Sequence, residues 1–112
     1  MVKVLKMDVF VYVLDRFIPV DLTRNEVLKA FEEDILKPFE FIKETVKNEM
    51  KGIKKVEFYD SYFKRDDEFL IEYLVDFSNG RAAVKLIASD NPRKLLMDYY
   101  RYERNKYGQS ED

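Results

Sequence analysis

Residues 68–88, EFLIEYLVDF SNG RAAVKLIA, decide the fold. From 68 to 77, Phe69, Ile71, Tyr73, Val75 and Phe77 alternate with Glu68, Leu70, Glu72, Leu74 and Asp76. A period of two is the pattern of a β-strand with one apolar face. Ser78-Asn79-Gly80 follows as a tight hairpin signal, because Asn and Gly take positive φ readily. Residues 81–88 return as a second strand, with Ala82, Val84, Leu86 and Ala88 on the same core side.

Upstream, residues 53–63 read as a third strand through Ile53, Val56, Phe58 and Tyr62, and Lys64-Arg65-Asp66-Asp67 is the polar turn that joins it to the next. The three strands form an antiparallel meander, and helices must cover its apolar face. Thr23-Arg24-Asn25-Glu26 fits a capping box, which opens a helix. Leu28, Phe31, Ile35, Phe39, Ile42 and Val46 then recur at spacings of 3, 4, 4, 3 and 4, one helical stripe. Pro38 sits inside it, so the helix is either kinked there or broken into two, and the unbroken stripe favours the kink. Gly52 ends the segment, and Lys47 and Lys51 suit the negative end of the helix. Residues 2–15 read as a first strand, with Leu5, Met7, Val9, Val11 and Val13 as its core face, and Pro19 opens a loop. Downstream, Asn91-Pro92 pairs an N-cap residue with Pro at the first helical position. That helix runs to about Tyr107, and Gly108 stops it.

The expected architecture is therefore α+β. A four-stranded, mainly antiparallel sheet arises from the order β-α (kinked or broken at Pro38)-β-β-β-α, with helices packed mainly on one face. Residues 1–108 form a single domain, and 109–112 a frayed polar tail.

Composition narrows the chemistry. The 112 residues contain no Cys, His or Trp. Disulfides, thiolate nucleophiles, Ser-His-Asp catalysis and Cys- or His-based zinc sites are all excluded. Charged residues make up 38% of the chain, against about 25% in an ordinary domain. With many Lys, Glu and Tyr, the composition resembles that of a thermophile's protein. The net charge of −2 is not that of a dedicated phosphate-backbone binder. With no long apolar run and no signal-peptide pattern, the expected location is cytoplasmic, with no membrane partner.

Three surfaces carry candidate functions. The second face of the sheet is too apolar to be left in water: Phe10, Tyr12, Leu14, Tyr59, Leu70, Leu74 and Ile87 point there, interleaved with Glu57, Glu72, Asp76, Arg81 and Lys85. It reads as a homodimer or other protein interface, with a small-ligand groove at Phe10, Tyr12, Leu70 and Leu74 as a third option. The competing reading is that the helices divide and cover both faces. The C-terminal helix sets Arg93, Lys94, Arg101, Arg104 and Lys106 against Asp98 and Glu103, with Tyr99, Tyr100, Tyr102 and Tyr107 among them. Arg93, Lys94, Tyr99, Tyr100, Arg101 and Arg104 are the candidate nucleic-acid contacts. The acidic residues from Glu57 to Asp76 do not build an EF-hand: in a loop starting at Asp60, Tyr62 and Lys64 fall on ligand positions and Arg65 on the required Gly.

In element order, and in the run from Val84-Lys85-Leu86-Ile87 through Arg93-Lys94 to Tyr99-Tyr100-Arg101, the chain is similar to small ribonuclease toxins of the RelE type. That likeness implies His-independent cleavage of RNA by Lys, Arg and Tyr. It is also similar to a truncated helix-grip fold, which implies a small-ligand cavity. The leading expectation remains a non-catalytic interaction module, homodimeric through the second sheet face, with no cofactor and no metal. An RNA-binding protein or ribonuclease is the alternative.

Overall fold

The computed structural model describes residues 7–108, without the side chains of residues 60, 61 and 107. Residues 2–6 of the expected first strand, Leu5 included, and the tail 109–112 lie outside them. The elements are β1 (Val9–Val13), β2 (Arg16–Val20), α1 (Arg24–Glu33), α2 (Lys37–Glu49), β3 (Ile53–Arg65), β4 (Glu68–Phe77), β5 (Gly80–Ala88) and α3 (Pro92–Gly108). The class is α+β, with a wholly antiparallel sheet in the order β2-β1-β5-β4-β3.

The sheet has five strands where the sequence suggests four. The extra one is β2, formed where Pro19 appears to open a loop. Leu14 and Asp15 both take positive φ, 49° and 63°, the geometry of a two-residue hairpin turn that matches strand twist. The Tyr12 hydroxyl donates to Asp15 Oδ1 at 3.0 Å across that turn. Pro19 is tolerated because β2 is the outer strand and its missing N–H leaves no ladder bond unmade. β1 consequently lies inside the sheet, antiparallel to both β2 and β5.

Pro38 breaks the helix rather than kinking it. The Thr23–Glu26 capping box is formed, and α1 closes at Asp34, whose N–H donates to Ala30 O at 3.0 Å. Pro38 then occupies the first turn of α2, where an absent N–H is harmless. The numerical stripe crosses the corner, but Ile35 drops out of it at 46% exposure. The corner is clamped from below by the Tyr73 hydroxyl, which donates to the Ile35 carbonyl at 2.6 Å. Burial pushes the Tyr73 phenol well above its usual value, so it remains a donor.

One face of the sheet carries the main core. Val9, Val11 and Val13 of β1, Phe69, Ile71, Tyr73 and Val75 of β4, and Val84, Leu86 and Ala88 of β5 pack against Val27, Phe39, Ile42, Val46 and Met50 of the α1–α2 side. The opposite face carries a second cluster, in which Leu95, Leu96 and Tyr99 of α3 cover Leu70 and Ile87. The helices thus divide two and one between the faces.

Gly52, at the exit of α2, has φ 71°, and a Cβ built on it would lie 1.8 Å from Ser78 Oγ. Gly52→Ala is expected to lower stability by about 1 kcal/mol or more through backbone strain and this clash. Adding Ser78→Ala should restore the clash component alone. Urea midpoints at unchanged m-value measure both effects.

Candidate functional site

The strand register decides what lies beneath α3. Phe10, Ile87, Leu70 and Phe63 form one row across β1, β5, β4 and β3, and Tyr12, Lys85 and Glu72 form the next. The first row is apolar, and α3 seals its centre: Leu70 and Ile87 are fully buried. The second row buries a charged pair. Lys85 Nζ lies 3.0 Å from Glu72 Oε2, and the Tyr99 hydroxyl donates to Glu72 Oε1 at 2.9 Å. Lys85 also sits 5.5 Å from the ring centroids of both Tyr12 and Tyr100, a cation–π arrangement. Burial, and then the hydrogen bond to Asp15, raises the Tyr12 phenol above its usual value, so it stays neutral beside the ammonium. Both Glu72 oxygens are engaged, and among the described residues no buried side-chain polar atom lacks a partner. The cluster is a closed network that fastens β4, β5 and α3 together.

Glu72 and Lys85, which the sequence places as charges interleaved on this face, are only 6% and 5% exposed. The fold also places the residues expected at an interface. Leu70 and Ile87 are internal, Phe10, Tyr12 and Leu74 are half-buried, and Leu14 and Tyr59 remain exposed. The competing expectation, helices on both faces, describes this surface.

The nucleic-acid candidates on α3 are scattered in role. Tyr99 is core. Arg93 stacks 5.2 Å from the Phe17 centroid. Asp98 gathers Arg65, Lys94 at 3.1 Å and Arg101 at 3.8 Å. The Arg65 hydrogen bond, then that of Lys94, holds the Asp98 carboxyl below the usual carboxylate range. Tyr100 and Arg104 are exposed. Four members of the acidic run are likewise paired: Asp67 with Arg24, Glu68 with Arg65, Asp76 with Arg81, Glu57 with Lys55. Among the described residues no three Asp or Glu converge where they could hold a metal ion, and no helix is long and apolar enough to cross a membrane.

A further concavity lies elsewhere, between α2 and the outer strand β3. This cleft of about 590 Å³ is floored by Leu36, Phe39, Met50, Ile53 and Val56. Its rim carries Lys43, Lys47, Lys51, Lys54 and Lys55 against a single carboxylate, Glu40. Lys47 reaches Glu44 at 3.5 Å and Lys55 reaches Glu57 at 2.5 Å. Among the described residues Lys43, Lys51 and Lys54 have no ion-pair partner. Sequence reasoning missed this site by assigning Lys47 and Lys51 to the helix end. The available signal was Lys43 and Lys47 one turn apart on a helix, with Lys51 four residues on and Lys54-Lys55 just after Gly52-Ile53.

Compared with protein-family models, curated proteins and solved structures, the chain matches none, so its function is argued from geometry alone.

Three variants probe the α3 side. Lys85→Met strands the Glu72 carboxylate and is expected to cost about 3–5 kcal/mol, most of it regained by adding Glu72→Leu and Tyr99→Phe. Denaturant unfolding of these two variants checks this. Asp98, with its pKa depressed, stabilises the fold above the ordinary carboxylate range, and that contribution is lost as pH falls through its folded value. Asp98→Asn should therefore be less stable at neutral pH and show a shallower acid-induced loss.

Proposed function

We propose that this chain is a small non-catalytic binding module whose working surface is the lysine-rimmed cleft between α2 and β3, where it holds an anionic ligand with an apolar body. The observation that carries this reading is the pairing of an apolar floor with three cations that, among the described residues, form no ion pair. Leaving Lys43, Lys51 and Lys54 without a counter-ion adds mutual repulsion to the fold. A ligand carboxylate, sulfonate or phosphate relieves that repulsion while its apolar part covers Leu36, Phe39 and Ile53. The non-catalytic reading is supported by the buried cluster Glu72–Lys85–Tyr99, in which each buried polar side-chain atom already has a partner within the protein.

Self-association through the second face of the sheet, the leading expectation from sequence, keeps Leu14 and Tyr59 as exposed anchors, but Leu70 and Ile87 are no longer available to it. Light scattering separates the two: the cleft reading predicts the 13.5 kDa mass of one chain, and twice that mass would move the working surface to the α3 side.

The cleft itself is tested by fluorescence titration with an anilinonaphthalene sulfonate dye on the folded chain. Binding is expected to weaken with salt and to fall at least about tenfold in the Lys43→Glu/Lys51→Glu variant, each reversal replacing an attraction worth about 1 kcal/mol with a repulsion. Equal binding by the uncharged anilinonaphthalene parent, or indifference to both charge reversals, would overturn the proposal.

A further inference from the structure

We infer that the occupant of this cleft is an acidic protein segment in extended conformation, added as a sixth strand along β3. This rests on the cleft being the binding surface and names its ligand.

Among the described residues the sheet ends at β3, which pairs there with β4 alone. In an antiparallel sheet alternate residues of an outer strand turn their N–H and C=O groups away from the partner strand, and these groups are open to a further strand. Ile53, Lys54, Lys55 and Val56 both belong to β3 and line the cleft. The open backbone edge is therefore one wall of the concavity, and an extended ligand lying in it meets unpaired peptide groups along its length. Between the register shifts at Ile53/Lys55 and Phe58/Ser61, residues Lys55–Phe58 run in unbroken register and offer a regular stretch of strand.

The other edge of the sheet is closed to the same use. β2 is five residues long and carries Pro19, which has no N–H. The difference between the edges is matched by their charge. Lysines and bulges on an edge strand ordinarily block pairing with a second copy, and Lys54 and Lys55 do so here by repelling their own kind. A strand of the opposite charge meets no such barrier. Strand side chains alternate between two faces. A segment alternating apolar and acidic residues would thus set the former on Leu36, Phe39 and Ile53 beneath α2 and the latter on the opposite face, beside Lys54 and Lys55. Adding a strand to a sheet edge, with backbone bonds supplying affinity and alternate side chains specificity, is an established mode of peptide recognition.

The test uses the full chain, isotope-labelled, titrated with a short blocked peptide alternating valine and glutamate. Two comparisons accompany it: a sequence isomer with the valines and glutamates in separate blocks, and a pair of alternating peptides N-methylated at one or the other set of alternate positions. The expected result is movement and added exchange protection of β3 amides near Lys55–Phe58, at least tenfold weaker binding of the block isomer, and loss of binding on N-methylation of one set but not the other. Equal binding of the block isomer and of both N-methylated peptides at the same cleft would overturn the added strand while leaving an anion-binding cleft. Failure of these peptides and of the anionic dye together would remove the cleft reading as well. Perturbation confined to α3 on addition of single-stranded RNA, with none at β3 from the peptide, would overturn both in favour of a nucleic-acid surface.

Discussion

Strand β4 is buried from both sides, and its alternating side chains must satisfy two different layers at once. Phe69, Ile71, Tyr73 and Val75 enter the core beneath α1 and α2, while Leu70 and Glu72 enter the one beneath α3. A slip of one residue against β5 would exchange the two sets. It would put a carboxylate beneath α2 and a phenol under α3, with no partner for either. The layering, the placement of α3 and the position of the open edge all follow from that one register being fixed.

Glu72 and Lys85 are the groups that fix it most sharply. A buried ion pair contributes little net stability compared with well-packed apolar residues, because desolvation offsets the attraction. Its discriminating power comes from how poorly it tolerates any other arrangement. The pair is complete only when β4 lies opposite β5 with Glu72 facing Lys85 and when α3 docks with Tyr99 over Glu72. An all-leucine version of this face would accept several dockings of α3 with similar energy.

Much of this was legible in the sequence. The alternation of 68–77, the Asn79-Gly80 hairpin, the Thr23–Glu26 box and the Asn91-Pro92 start are local signals, each with a mechanism acting over a few residues, and each is realised. Three features were not legible. The Leu14-Asp15 turn lacks the Gly or Asn that usually marks positive φ, so β2 read as a loop. The stripe from Leu28 to Val46 keeps its spacing through Pro38, and only the clamp from Tyr73, in contact with Ile35 from 38 residues away, shows that the chain turns there. The second apolar face of the sheet was found, with Leu70 and Ile87 correctly placed on it. What covers it depends on where a helix that follows β5 can dock, a tertiary matter that periodicity does not encode. The cleft escaped for the same reason, since its lysines lie on two elements whose closeness only the fold reveals.

The late position of α3 in the chain bears on how this protein is made. At translation rates of roughly 5–20 residues per second, β4 and β5 are complete on the order of a second before the 17 residues that cover their second face have been polymerised. Until α3 docks, Leu70 and Ile87 have no other cover within the described residues. Lys85 and Glu72, set in the row beside them, are at that stage fully hydrated charges in the middle of an otherwise sticky surface. Charges set within an apolar strand surface in this way are of the kind that discourages intermolecular strand pairing before the cover is in place.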